Sequence, residues 1–375
     1  MKNAVCISCT HHYSERIVPV EKALQAAGYD CTYITSDFIH NTKEQYRLDL
    51  PNCLQLHVIP YAKNISFRRL YSHYRFAKAA MAEVQRLQPD LLYVEVPPNS
   101  LCRAAALYKK ANPQVKLVVD IFDVWPESFP SKRAKQLLKL PFRIWAWLRN
   151  CGFSKADVVF TECDLYRQVL EKPLKNANVH TLHLCRPKAV VELPASLPVQ
   201  EAIHLCYLGS INNLIDIPAI AGLIKQVQLL RPVVLHIIGD GESREDFLTA
   251  VRATGAKTEY HGKIYDPAQR QAILDICSFG LNIMKDSVCI GMTMKSLDYF
   301  AGALPIVNSI GADTWDLVER RQIGINLNRE NPAQTAGEIA AVTPQSQLEM
   351  RNNTLSCFRE LFTEQTFIEK FTNQL

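Results

Sequence analysis

The chain has 375 residues, 48% of them apolar, enough to bury a large core and to suggest two domains. With 21% charged residues and a net charge of +5 spread over that length, the balance gives no support to a nucleic-acid reader, and no apolar run reaches the length of a membrane span. No secretory signal follows Met1, and twelve cysteines scattered singly fit a reducing, cytoplasmic setting rather than a disulfide scaffold.

In chain order, short β-branched runs at 4–9, 30–35, 54–59, 91–96, 116–121, 157–161 and 179–184 alternate with helix-length segments. Ile17, Val20, Leu24 and Ala27 recur at helical spacing, and Gly28 stops that helix. The strands are apolar throughout rather than alternating, which predicts a parallel sheet covered on both faces. The only C-x-x-C, Cys6 and Cys9, lies in the first strand without a second ligand pair, so buried free thiols are expected in place of a zinc site. A stretch with three prolines, 186–198, has no usable period and reads as a linker. Beyond it the rhythm restarts, with strands at 203–208, 233–238, 258–261, 279–284, 304–308 and 324–327 and a helix at 217–230. The expected fold is therefore α/β, with two Rossmann-like domains of parallel sheets facing across a cleft. Residues 1–187 form the first domain, 188–202 the linker, 203–346 the second domain and 347–375 a helical segment crossing back to the first.

The densest chemistry lies at 289–307. A turn through Gly291 and Met292 ends at Thr293, a good N-cap. The helix beginning at Met294 offers free amides, a positive end, Ser296 and Lys295 to an anion. That is a phosphate seat, and Asp298, one turn beyond Met294, suits the hydroxyls of a ribose. The same residues also fit an ordinary helix entry. Gly209 and Ser210 close the first strand of the second domain at the carboxyl edge, where open sheets bind ligands. His236 to Glu242 makes a second strand end with a Gly-Asp-Gly turn, able to touch a base or phosphate, or simply to turn. There is neither G-x-G-x-x-G after the first strand nor a P-loop, and no Asp-x-Asp pair to hold a divalent ion, so metal-free chemistry is expected.

In the first half, Asp120 and Asp123 are expected to emerge together at the carboxyl edge, where a carboxylate can orient or deprotonate a hydroxyl; Asp123 could equally cap the turn before Pro126. The loop Thr10-His11-His12-Tyr13-Ser14-Glu15 occupies the corresponding place after the first strand. From Ser131 to Ala156 no acidic residue occurs, while Lys132, Arg133, Lys135, Lys139, Arg143 and Arg149 interleave with Leu137, Leu140, Ile144, Trp145 and Trp147. Cationic stems beside Trp and Leu suit an anionic headgroup layer, here the inner face of a membrane; a core helix with a basic outer face is the alternative.

Four motifs in order, Asp123-Val124-Trp125-Pro126-Glu127-Ser128, Tyr207-Leu208-Gly209-Ser210, Ile238-Gly239-Asp240-Gly241 and Lys295 to Val307, resemble those of family-4-type (group 1) glycosyltransferases of the GT-B fold, especially the bacterial surface polysaccharide and lipopolysaccharide type. The resemblance implies a retaining transferase with a nucleotide-diphosphate sugar, a UDP-sugar foremost, as co-substrate and a lipid-linked or surface-polysaccharide precursor as acceptor. Gly209 and Ser210 would lie near the diphosphate, Gly239 and Asp240 near the base, the Met292 to Lys295 turn (Met292, Thr293, Met294, Lys295) with Lys285 at the phosphates, and Asp298 on the ribose, with Asn212, Gly291 and Ser296 also on the donor. His12, Ser14, Glu15 and Asp123 would serve the acceptor, with Asp123 and Lys295 the catalytic pair. The chain departs from the family pattern at Ile290, where an acidic residue is usual, and at Asn212-Asn213, which replace an Arg and Lys. A nucleotide-sugar epimerase on the same scaffold and a non-catalytic transferase-like partner subunit are the rival readings, and a homodimer or a transferase partner is a compatible assembly.

Overall fold

The computed structural model describes residues 2–9, 13–40, 42–63, 66–129, 136–187 and 191–375, apart from the side chains of residues 13–15. Two compact units form, one from residues 2–185 with 364–375, the other from 186–363.

The first unit is built on β1 (Lys2–Ile7), β2 (Tyr29–Ser36), a small antiparallel pair β3 (Phe38–Ile39) and β4 (Glu44–Gln45), β5 (Cys53–Leu56), β6 (Leu91–Val96), β7 (Lys116–Ile121), β8 (Val158–Thr161) and β9 (Val179–Thr181). All but β3 and β4 form one parallel sheet in the order β5-β2-β1-β6-β7-β8-β9. Direction reverses between β1 and β6, the kind of switch point where such sheets take ligands outside their carboxyl ends. Every residue of β6 is buried, as continuous apolarity requires of a strand covered on both faces.

One ion pair in this core has both side chains fully buried. Asp120, expected at the carboxyl edge with Asp123, is instead fully buried, because the alternation of side chains along β7 turns it inward beneath the helix Tyr13–Ala26. Arg16 from that helix grips it with two bonds of 2.7 Å and donates also to the Leu182 carbonyl at 2.7 Å. Tyr93 Oη donates to the same carboxylate. The helix Glu364–Thr372 closes this region: Phe367 lies beneath the guanidinium of Arg16, and Phe371 stacks on Phe160 with centroids 5.2 Å apart.

The second unit contains β10 (Ile203–Leu208), β11 (Val233–Ile238), β12 (Lys257–Gly262), β13 (Phe279–Asn282), β14 (Ile306–Asn308) and β15 (Gly324–Asn326), all parallel in the order β12-β11-β10-β13-β14-β15. Its switch point lies between β10 and β13. Leu205, Tyr207, Leu235 and Ile237 share one core with Ile220, Leu223 and Ile224 of the helix Ile217–Gln228. The helix Pro344–Leu361 starts at a capping box made by Thr343 and Ser346. All twelve cysteines are free thiols. Burial pushes the Cys9 thiol up to about 12, so neither member of the C-x-x-C pair is primed as a nucleophile.

Gly280 fixes how the short helix Met294–Ala301 docks on this sheet. A Cβ on Gly280 would come within 2.6 Å of the Tyr299 ring, so the bare backbone lets Tyr299 reach across β13 and donate to the Cys206 carbonyl at 3.1 Å while accepting from the Leu208 amide at 2.8 Å. Gly280→Ala should therefore cost about 1–3 kcal/mol, the scale of overpacking a core, measured by urea denaturation. Arg16→Met leaves the Asp120 charge buried without its partner and should cost about 3–5 kcal/mol in the same assay.

Candidate functional site

At the switch point of the second sheet, the ends of β10, β11 and β13 bring together residues scattered across ninety positions of sequence. Gly209 leaves β10 with φ of +114°, and a side chain there would meet nothing within 4 Å, so the backbone faces open space that a ligand can occupy. Its neighbour Gly239, at the end of β11, has φ of +147°, and a Cβ on it would sit 1.9 Å from the Gly209 carbonyl. The two turns are thus locked together, and no side chain larger than hydrogen is accommodated at Gly239. Asp240 accepts from the Gly241 amide at 2.8 Å and from Arg244 at 3.3 Å, which tightens the same turn. Ser210 is exposed, and its carbonyl accepts from Tyr207 Oη at 2.8 Å.

Beyond β13, the loop carrying Gly291, Met292 and Thr293 is buried, and Thr314 holds it through two bonds to the Gly291 carbonyl. Thr293 is the N-cap: its Oγ1 accepts from the Ser296 amide at 3.2 Å. Its own hydroxyl donates to Asn282 Oδ1 at 2.7 Å, Asn282 donates to Asn308 Oδ1 at 2.9 Å, and Asn308 shares 2.9 Å with Asn326. This row of asparagines crosses the last residues of β13, β14 and β15 in register and fixes the helix entry to three strands. The amides of Met294 and Lys295, in the first turn, have no intrahelical partner and point outward from the cap.

Lys295 stands in that first turn. Its Nζ is 3.2 Å from Tyr207 Oη and 4.5 Å from the centre of the Tyr207 ring, and among the described residues no carboxylate pairs with it. Burial pushes its ammonium down to about 8. A cation at a helix N-terminus is opposed by the macrodipole, so both effects weaken the charged form in the free protein and both are relieved by an anion. Asp298 is half-buried, and its Oδ1 accepts from Arg186 at 2.8 Å, so the carboxylate foreseen on a ribose is oriented by an arginine. Lys285 is exposed and donates to the Asn213 carbonyl at 2.7 Å. Asn212 Oδ1 accepts from the Leu214 amide at 3.0 Å, shaping the loop after Ser210.

Sequence reasoning missed the arginines that hold these loops. Arg329 pairs with Asp216 at 2.6 Å and with Asp286 at 2.8 Å and donates to the Met284 carbonyl, clamping the two loops that flank the site. Neither Arg329 nor Arg186 is near its partner in sequence. The three strand-terminal asparagines were a visible signal, since an amide at the end of three successive strands is a repeated polar residue in an apolar pattern.

In the first unit, Asp123 follows β7 at the carboxyl edge. Ser128 donates to its Oδ1 at 2.8 Å, and burial raises its pKa. The motif around it is held by Arg149, which is fully buried, binds Glu127 at 2.8 Å and 3.1 Å and donates to the Trp125 carbonyl at 2.9 Å. Arg149 therefore does not belong to a solvent-facing basic stripe; it returns from the helix Lys139–Phe153 to neutralise a carboxylate one loop earlier. His12 and the side chains of Ser14 and Glu15 lie outside the described residues, as do Lys132, Arg133 and Lys135. Sequence reasoning also passed over Arg69, a buried guanidinium from the helix Phe67–Leu87, which lines a small cavity with Cys9, Ser36, His73 and Pro97 at the end of this sheet.

One trio of metal-type ligands gathers among the described residues: His236, Glu259 and His261, with atoms within 4.8 Å of one another. The His236 and His261 rings are parallel within 5°, 5.4 Å between centroids and 3.1 Å between nitrogens, so they lie end to end. His204 continues the row at 2.9 Å from His236. Facing lone pairs at this spacing share a proton; an ion placed in line between two nitrogens needs about 4 Å. This is a hydrogen-bonded imidazole row.

Residues 19–185 match the family model for Glycosyltransferase Family 4. No curated protein matches the sequence. Among solved structures, the fold is similar to sucrose-phosphate synthase from Thermosynechococcus elongatus, with a TM-score of 0.69 at 12% identity, covering 100% of this chain and 98% of that one. It is similar to HepE of Anabaena in complex with UDP and glucose, with a TM-score of 0.67 at 12% identity over 100% and 99% of the two chains. The lipopolysaccharide outer core galactosyltransferase WaaB gives a TM-score of 0.64 at 14% identity, again over 100% and 99%. Residues 19–185 are thus similar to Glycosyltransferase Family 4, and the chain as a whole has the GT-B fold, with two Rossmann-like units.

Proposed function

We propose that this glycosyltransferase moves a sugar from a nucleotide-diphosphate donor, a UDP-sugar, to a lipid-linked or surface-polysaccharide precursor, with retention of anomeric configuration and without a metal. The observation that carries the reading is Lys295: a half-buried ammonium at a helix start, beside outward-facing amides, with no carboxylate among the described residues to balance it. A diphosphate supplies that balance. Negative charge builds on the diphosphate as the glycosidic bond breaks, so donors already aimed at it stabilise the transition state more than the ground state.

The roles then follow from position. Gly209 and Gly239 present backbone to the nucleotide, Thr293 and the asparagine row hold the helix entry still, and Asp298, oriented by Arg186, takes the ribose hydroxyls. The acceptor belongs to the first unit, where Asp123 orients its hydroxyl. The departing phosphate oxygen takes the acceptor proton, so no protein nucleophile is needed. Two UDP complexes among the similar structures, those of HepE, support the choice of nucleotide. The lipid-linked acceptor is supported by the apolar side chains the first unit leaves in water: Leu137 is 85% exposed and Leu140 67%, with Ile144 and Trp147 half exposed on the same helix. No helix among the described residues is long and apolar enough to cross a membrane, so contact would be peripheral, at the inner face.

A thermal-shift panel of UDP-, GDP- and dTDP-sugars tests the donor: a UDP-sugar should raise the melting temperature in a concentration-dependent way, and equal shifts from all three would reject the base assignment. The pH dependence of UDP affinity tests Lys295. Because the free ammonium titrates at about 8 and a bound diphosphate favours its protonated form, affinity should fall as pH rises from about 8 towards 10, by calorimetry. Lys295→Met should weaken UDP binding about 10- to 100-fold and flatten that profile. An unchanged affinity in the variant would remove the lysine from the site.

A further inference from the structure

The helices Phe67–Leu87, Asn99–Ala111 and Lys139–Phe153 of the first unit do not close on one another; they leave an open groove of about 780 Å³. Its walls are apolar, with Leu70, Met81, Leu107, Ile144 and Trp145 foremost. Lys78 and Arg103 are its charged residues, and no carboxylate lines it among the described residues. An open groove of this apolarity is costly while only water fills it, since its walls stay hydrated. Around it the helices also expose Phe67, 90% accessible, and half of Tyr71 and Tyr74. That is a contiguous apolar surface larger than isolated exposed side chains explain.

We infer that this groove holds the hydrocarbon chain of a phosphate-headed lipid, the carrier of the acceptor. Three observations choose that occupant over others. First, the groove begins at the carboxyl edge of the sheet: His73 lines both it and the small cavity containing the buried guanidinium of Arg69, Ser36 and Cys9. An anionic head placed there lies beside the Arg69 guanidinium, in the region where open sheets take ligands. Second, the helices carry the apolar walls away from that edge, from Leu70 and Asn99 past Ala77 and Ala104 to Leu107, the course an extended chain follows. Third, Lys78 and Arg103 lie midway, and Arg103 packs over the Trp147 ring at 4.5 Å, so their aliphatic stems add to the apolar wall while their charges match only anions. A peptide helix with acidic flanks would satisfy the charges but not the narrow polar end. The groove also runs into the exposed face of Leu140 and Ile144, so a lipid can enter it sideways from a membrane surface.

The inference rests on the lipid-linked acceptor proposed above and is tested separately from it. Dodecyl phosphate, kept below its micelle-forming concentration, should bind the full chain one to one by calorimetry, and inorganic phosphate should not. Ala104→Trp fills the groove from its wall, and Leu107→Glu places a carboxylate at its outer rim; each should weaken dodecyl phosphate binding at least tenfold while UDP affinity and the melting temperature with UDP stay as in the wild type. Wild-type binding of dodecyl phosphate by both variants, or equal binding of inorganic phosphate, would overturn the assignment. So would a wild-type dimer in sedimentation, dispersed by Leu107→Glu and taking up no dodecyl phosphate, which gives the groove to a second copy of the chain. If the groove assignment fails while the chain still glycosylates a lipid-linked acceptor, the proposed reaction stands and the chain lies elsewhere.

Discussion

A positive charge with no counter-charge among the described residues organises the second unit. Lys295 is partly withdrawn from water, set against the ring of Tyr207 and placed at the end of a helix whose dipole repels it. Such an arrangement lowers stability, and a fold optimised only for stability would have put a glutamate here, as a capping carboxylate commonly stands in the first helical turn. Functional sites are where such local costs are tolerated, and in the proposed function the missing partner is the donor diphosphate. The surrounding structure has to hold the charge in place before the ligand arrives.

That restraint comes from regular elements rather than from loops. Tyr299 passes through the gap left by Gly280 and ties the helix to β10, while Asn282, Asn308 and Asn326 tie its cap to β13, β14 and β15. Five of the six strands thereby report to one turn of helix, counting β11 through the contact of Gly239 with Gly209. Arg329 adds the ion pairs that tie the two flanking loops together. A site built this way needs little reordering, so in the proposed function little ordering entropy is lost on nucleotide binding.

Much of this was legible in the sequence, and the failures share a cause. Continuous apolar runs such as Leu91–Val96 and Val233–Ile238 are strands because only a doubly covered strand can be apolar throughout. The two-residue strands Phe38–Ile39 and Glu44–Gln45 carry too few residues for any period. The Lys295 turn was readable because capping is local chemistry, within four residues. Asp120 and Arg149 were misplaced because their partners, Arg16 and Glu127, lie 104 and 22 residues away, and a charged residue in sequence looks exposed until its partner is known. The groove was invisible for a related reason. Each helix has an ordinary amphipathic pattern, and the space left by three of them is a property of their packing.

The pairing of Arg16 with Phe367 carries a consequence for biosynthesis. The amino-terminal lobe is not a contiguous stretch of polypeptide: its Arg16–Asp120 pair is covered, and its Phe160 stacked, by side chains that leave the ribosome only after the entire carboxyl-terminal lobe has been made. Translation at about 5–20 residues per second leaves that lobe lacking its final helix for roughly ten seconds or more. During that interval a part-built apolar surface is open to chaperones or to the nascent chains of neighbouring ribosomes, so yield in a heterologous host should depend on how fast the second half is delivered.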